Sequence, residues 1–168
     1  MGNRYVMADP RYCVACKACM GACIAKHSVP DDAGFPRLKV IQVNELASAP
    51  VLCHQCEEAP CAAACPTGAL FRDEENARIG VNMSLCIGCR SCVNACPFGA
   101  VDVVAAPQVF DFGGLSVGAA SQASVIKCDR CVDRDNGPAC VEACASHALR
   151  IMQREDDGSV HEVDGGVK

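Results

Sequence analysis

Apolar and polar residues alternate in this chain only in short runs, and each run predicts a strand. Residues 4 to 8, Arg-Tyr-Val-Met-Ala, predict a short strand leading into Asp9-Pro10. Residues 37 to 43, Arg-Leu-Lys-Val-Ile-Gln-Val, are β-branched and partly alternating, and predict another strand after a turn at residues 30 to 34. Residues 69–72 and 77–81 flank Asp73-Glu-Glu-Asn76 and predict a β-hairpin. A strand is expected over residues 100–104, and a last hairpin over 148–153 and 159–163, across Asp156-Asp-Gly158. The pattern lapses between Pro107 and Ser124, which is rich in Gly, Ala and Ser. This stretch is expected to be a flexible linker, or else an interaction loop anchored by Phe110 and Phe112. The tail, residues 164–168, is expected to be disordered.

Cysteines interrupt these runs. There are 16 in 168 residues, in four groups of four, with none left over. The third group, Cys86-Ile-Gly-Cys89-Arg-Ser-Cys92-Val-Asn-Ala-Cys96-Pro97, has spacings of two, two and three residues closed by a proline. That is the bacterial ferredoxin spacing for a cubane iron–sulfur cluster. A loop with two residues between successive cysteines can curl three thiolates onto one small cluster. The fourth cysteine then rides a helical turn that points away, and in two-cluster ferredoxins it ligates the other cluster. The first group, Cys13, Cys16, Cys19 and Cys23, has the same spacing and a short helix ending near His27. The second, Cys53, Cys56, Cys61 and Cys65, is lengthened by Glu57-Glu-Ala-Pro60. The fourth, Cys128, Cys131, Cys140 and Cys144, is lengthened further by a turn at Asp135-Asn-Gly-Pro138. Three groups share a tail: Cys65-Pro-Thr-Gly-Ala-Leu70, Cys96-Pro-Phe-Gly-Ala-Val101 and Cys144-Ala-Ser-His-Ala-Leu149. The chain is therefore an internal repeat of one supersecondary unit.

Three chemistries compete for these thiols. Disulfides need an oxidising compartment, and the N-terminal residues show no apolar signal-peptide core, so a cytoplasmic location is expected. Co-export with a signal-bearing partner is also compatible with that observation. Zinc sites usually come as two well-separated pairs of ligands, which would make the chain a structural adaptor. Three close thiolates plus one displaced by a helical turn, four times over, favour iron–sulfur clusters. Composition agrees. The apolar fraction is 51%, but cysteine inflates it; there is no tryptophan and there are only two tyrosines and five phenylalanines. Clusters would then replace an aromatic core, with folding coupled to their insertion. A formal charge of −5 with no basic patch argues against nucleic acid. The longest uncharged stretch, residues 112–126, is too short to span a membrane.

Little else suggests chemistry. No nucleophile–base pair stands out, and His27, His54, His147 and His161 are not at matched spacings. His54, inside Cys53-His-Gln-Cys56, is expected to be structural or to tune a cluster, because no cysteine is missing for it to replace. Lys17, Arg90 and Lys127 flank cysteines, where a cation would raise a cluster's reduction potential. No phosphate-binding glycine motif marks a nucleotide or flavin site.

The four groups, with insertions in the second and fourth, resemble the four-cluster iron–sulfur subunits of molybdopterin oxidoreductases, above all the small subunit of formate dehydrogenase and formate hydrogenlyase. Residues 4–10 (Arg-Tyr-Val-Met-Ala-Asp-Pro), 48–61 (Ser-Ala-Pro-Val-Leu-Cys-His-Gln-Cys-Glu-Glu-Ala-Pro-Cys) and Gly137-Pro-Ala-Cys140 carry the likeness, which spans about residues 4 to 152. The resemblance implies an α+β fold of two interleaved ferredoxin-like halves with short helices and β-hairpins. It also implies four ligand sets: Cys13, Cys16, Cys19 with Cys144; Cys128, Cys131, Cys140 with Cys23; Cys53, Cys56, Cys61 with Cys96; and Cys86, Cys89, Cys92 with Cys65. Residues 1–49 and 127–154 would form the outer unit, 50–104 the inner one, 105–126 a loop, and 155–168 a hairpin end and tail. The implied function is non-catalytic. Four 4Fe–4S clusters would relay single electrons between a large molybdenum or tungsten bis-pterin subunit and a redox partner such as a hydrogenase or ferredoxin. The alternative is a free or hydrogenase-linked polyferredoxin carrier. Ile24 and Ala145 stand where the closing proline would be in the first and fourth groups.

Overall fold

The computed structural model describes residues 3–27, 34–42, 44 and 47–163, with the backbone alone over 105–112 and 116–122. The expected tail at 164–168 and most of the expected turn at 30–34 lie outside the described residues. The fold is α+β. Short strands pair into small antiparallel sheets, and four helices carry the cysteine groups among the described residues.

Strand β1 (Asn3–Ala8) does not pair with a sequence neighbour. It runs antiparallel to β8 (Leu149–Arg154), which also pairs with β9 (Val160–Val163). Tyr5 faces Met152 and Val6 faces Ile151 in this register. Strand β2 (Lys39–Gln42) pairs with β3 (Ser48–Val51), a strand the sequence pattern does not announce, since Pro50 sits inside it opposite Val40. A two-stranded sheet tolerates that proline because its strands have free edges. The hairpin of β4 (Leu70–Asp73) and β5 (Arg78–Val81) lies where the alternation places it. The Asp73 carboxylate holds its turn, accepting from the Asn76 backbone N–H at 3.2 Å and from Arg78 Nε at 2.9 Å.

One expectation is corrected. Residues 105–126 are not a loop or linker but most of a long ribbon, β6 (Val101–Phe112) against β7 (Leu115–Lys127). Gly113 and Gly114 turn the chain with φ of 61° and 92°, the two-residue geometry whose twist matches that of paired strands. The ladder slips between Ala106 and Gln108, at Pro107, which has no N–H to donate.

Helices are short. α1 (Ala18–Lys26) has nine residues, whereas α2 (Pro60–Ala63), α3 (Ser91–Ala95) and α4 (Ala139–Glu142) have four or five. Helices of one turn do not hold in isolation, so these exist through what they pack against. α1 packs on α4, and α2 on α3. Two buried clusters result. One joins Val6, Leu38, Leu52 and Leu149 with Cys19, Cys23 and Cys140. The other joins Leu70, Ile79, Val101, Val103 and Val125 with Cys61 and Cys92. Three of the seven buried members of the first are cysteines, so the thiols are part of the core. Each fully buried aliphatic side chain contributes about 1.5–3 kcal/mol.

Candidate iron–sulfur centres

All four cysteine loops bend the same way. The second residue between the first two cysteines of each group is left-handed: Ala15 (φ 55°), Gln55 (47°), Gly88 (72°) and Arg130 (63°). A second left-handed residue precedes α1, α2 and α3, at Lys17 (60°), Ala59 (42°) and Arg90 (61°). A third follows the fourth cysteine, at Gly68 (67°), Gly99 (62°) and His147 (52°). Such a conformation costs a non-glycine residue about 1–2 kcal/mol. Its repetition marks a site whose geometry overrides local preference. Alternating left- and right-handed residues turn backbone N–H groups inward into an anion-binding concavity. Here they reach sulfur: Arg130 N–H donates to Cys128 Sγ at 3.4 Å and Ala100 N–H to Cys96 Sγ at 3.4 Å, while Arg37 N–H, from outside the loops, donates to Cys23 Sγ at 3.3 Å.

The third cysteine of each group is buried on its short helix: Cys19, Cys61, Cys92 and Cys140. Burial pushes all four thiols up, Cys61 to about 11. The thiols that add to this come from two groups in every case. Cys19 is flanked by Cys16 and Cys13 and also by Cys144. Cys140 has Cys128 and Cys131 beside it, together with Cys23. Cys61 and Cys56 both have Cys53 and Cys96 as neighbours. Cys92 has Cys86 and Cys65, and Cys89 also has Cys65. Two of the fourth-position thiols go the other way. At Cys65 and Cys144, partial burial is outweighed by donors from the tail that follows, including Thr67 and Ser146, and both thiols are lowered.

None of the sixteen cysteines is in a disulfide. Soft thiolates in fours, with N–H donors aimed at sulfur, suit iron–sulfur clusters. The surroundings fit as well. Cys53, Cys56, Cys61 and Cys96 line one pocket, whose other walls include Ile79, Val101, Pro97 and Phe98. An aromatic stack closes one side of it. The His54 ring lies 3.9 Å from that of Phe98 and 5.3 Å from that of Tyr5, close to parallel with both. Burial, and then the charge of Arg154, keep the His54 imidazole below its ordinary value.

Of the three cations singled out in the sequence, Lys17 and Arg90 are exposed and Lys127 is buried. Sequence reasoning missed its companion Gln55, which is 0% exposed. The Gln55 side chain donates to the Cys128 carbonyl at 2.7 Å and accepts from Ile79 N–H at 2.9 Å, and its own carbonyl accepts from Asn3. Also missed was the surrounding of Cys131. His27 Nε2 is 3.7 Å from its Sγ and 3.5 Å from Asp129 Oδ1, and Asp129 in turn pairs with Arg37 at 2.9 Å. These three groups converge closely enough to hold a metal ion. Since Cys131 already has Cys23 and Cys140 as thiol neighbours, His27 reads as a hydrogen-bonding neighbour of sulfur. Nothing in local sequence marks Gln55 or His27 for these contacts, since Cys128 and Cys131 lie more than 70 residues away from them.

Comparison with known proteins places this arrangement. The 4Fe-4S dicluster domain family matches twice, over residues 32–100 and over residues 85–149. The chain is 42% identical to the electron transport protein HydN of Escherichia coli, over 90% of this chain and 89% of that protein. It is 37% identical to hydrogenase-4 component A of the same organism, over 89% and 82%. It is 35% identical to formate hydrogenlyase subunit 2, over 92% and 84%.

Proposed function

Because the chain belongs to the 4Fe-4S dicluster family of electron-transport proteins, we propose that it holds four 4Fe–4S clusters as two interleaved ferredoxin-like units. We propose further that it serves a large molybdenum or tungsten bis-pterin subunit. Each cluster, when bound, takes up and gives back one electron. The chain itself supplies no catalysis; it is an electron carrier. The observation that carries the reading is the exchange of thiols between groups: each buried third cysteine faces the fourth cysteine of a different group. The ligand sets proposed are Cys13, Cys16, Cys19, Cys144; Cys23, Cys128, Cys131, Cys140; Cys53, Cys56, Cys61, Cys96; and Cys65, Cys86, Cys89, Cys92. The first group lies outside both dicluster matches, so its cluster rests on spacing and on the position of Cys144.

The residues around the thiols have distinct tasks. Backbone N–H groups stabilise charge on sulfur, as do Thr67 at Cys65 and Ser91 at Cys89. His54 and Phe98 wall one side of the Cys53 set, with Tyr5 stacked on His54. Cys16 and Cys89 are exposed, which puts the outermost sulfurs within reach of partners. The names of the hydrogenase-4 and formate hydrogenlyase relatives support a redox assembly as the setting. Among the described residues no helix is long and apolar enough to cross a membrane.

The test is spectroscopic. Under the exchanged arrangement Cys65→Ser and Cys86→Ser perturb the same cluster, and Cys53→Ser perturbs another. A Cys65→Ser signature shared with Cys53→Ser would overturn the ligand sets. Purification with a molybdenum- or tungsten-bearing large subunit is the expected result for the partner; a hydrogenase or no partner would point to the polyferredoxin carrier.

A further inference from the structure

Lys127 is 3% exposed and ends β7, beside Cys128. Its Nζ lies 3.2 Å from Cys53 Sγ, 3.2 Å from Gln55 Oε1, 3.3 Å from the Ile79 carbonyl and 3.3 Å from the Cys128 carbonyl. All four are acceptors and none is a carboxylate. Burying an ammonium costs several kcal/mol unless a negative charge compensates. The compensating charge on offer is sulfur. Cys53 makes the direct contact, and the positive charge of Lys127 also opposes the upward push of burial at Cys56, Cys61 and Cys128. Cys128 in turn is pushed up by burial and by its neighbour Cys53, so Lys127 stands where the two innermost thiol sets meet. Gln55 fixes it there, bridging Ile79 on one side and Cys128 on the other.

We propose that Lys127 is a positioning residue that sets the order of potentials across the junction between the two ferredoxin-like units. Its buried ammonium stabilises the reduced form of the cluster held by Cys53 more than that of the cluster held by Cys128. The electron therefore rests on the Cys53 side of the junction, and the step across it is directional. The contacts differ in kind: an N–H···S bond to the ligand sulfur on one side, a bond to a backbone carbonyl on the other. Lys17 and Arg90 flank cysteines in the same way along the chain but are exposed, where solvent and salt screen them.

This rests on the four-cluster reading, and the experiment separates the two. Anaerobic redox titrations followed by electron paramagnetic resonance would be run on the whole protein and on Lys127→Met, Lys127→Gln, Lys17→Gln and Arg90→Gln, with iron counted in each. The Cys53 cluster's signal is identified by its change in Cys56→Ser. In both Lys127 variants the reduced-to-oxidised ratio of that cluster at fixed potential should fall at least tenfold, a downward shift of about 59 mV or more. The Cys128 cluster should shift less, and the Lys17 and Arg90 variants should leave all signals near their original potentials. Equal shifts at both clusters, no shift, or loss of iron in both Lys127 variants would overturn the proposal, the last by making Lys127 an assembly residue. A count below four clusters in the unsubstituted protein would refute the four-cluster reading instead, and the Lys127 comparison would still be decided by the Cys53 and Cys128 signals, which need neither of the other two clusters.

Discussion

Gly88 offers a quantitative test of how the cysteine loops are built. It occupies the left-handed position of the third loop with φ of 72°, and a Cβ placed there would stand 2.6 Å from the Cβ of Ala123 on β7. Ala15 fills the equivalent position of the first loop at φ 55°, so the backbone itself accepts alanine at a cost of about 1–2 kcal/mol. What sets Gly88 apart is the ribbon lying against it. Forcing a methyl into that contact adds about 1–3 kcal/mol. Gly88→Ala should therefore cost about 3 kcal/mol, a fall of roughly 6–12 °C in apparent melting midpoint for a chain this size. Gly99→Ala is the control, because Gly99 has φ of 62° but nothing within 4 Å of where its methyl would stand. It should lose only the conformational part, about 1–2 kcal/mol. The decisive comparison is the cycle of Gly88→Ala, Ala123→Gly and the pair. Removing the opposing methyl should restore about 1–3 kcal/mol of the loss. Midpoints would be read anaerobically from cluster absorbance at one scan rate, since cofactor-bearing domains depart from two-state unfolding. Coupling below about 0.5 kcal/mol would show that the ribbon does not rest on the loop.

Other outcomes follow from the same structure. Anaerobic iron and sulfide analysis should give about sixteen irons per chain, four per cubane; half that number with stoichiometric zinc would refute the cofactor assignment. Gln55→Leu strands Ile79 N–H, the Cys128 carbonyl and one contact of Lys127. At about 1–3 kcal/mol per stranded group, the apparent midpoint should drop by at least about 6 °C, and an unchanged midpoint would mean water replaces the amide. Stripping the iron anaerobically with a chelator should abolish the far-ultraviolet circular dichroism of the helices, because their packing partners are thiols; retained helicity would show the aliphatic clusters suffice. Phe110 and Phe112 pair opposite Val117 and Leu115 at the ribbon's end. Alanine at both should weaken partner binding tenfold or more if they are anchors, with iron content unchanged.

The cysteine groups are legible in the sequence because cluster ligation demands one residue type at fixed spacing, and the β4–β5 hairpin because its turn and strands are contiguous. The pairing of β1 with β8 is not, since nothing local in Asn3–Ala8 names a partner more than 140 residues on. The β6–β7 ribbon escapes for a related reason. Its ladder is made of backbone groups, which Gly, Ala and Ser supply as well as Val does, so no apolar alternation marks it. Gly113-Gly114 is the one local signal of a hairpin there, and the composition around it points to a linker instead. Lys127 can be picked out beside a cysteine but not told from Lys17 or Arg90, because burial depends on strands that converge from elsewhere. Gln55 and His27 are invisible for that same reason.

The β1–β8 pairing has a consequence for how the protein is made. A ribosome adds about 5–20 residues per second, so Ala8 waits roughly 7–28 seconds for Leu149, its partner in the sheet. The second buried cluster draws only on residues 59–125 and can close during that wait. The first needs Cys140 and Leu149 and closes later. Until then the loop of Cys13, Cys16 and Cys19 lacks its nearest long-range neighbours. A nascent chain is therefore most vulnerable to oxygen, and most open to an iron-delivery factor, at the earliest made of its four cysteine groups.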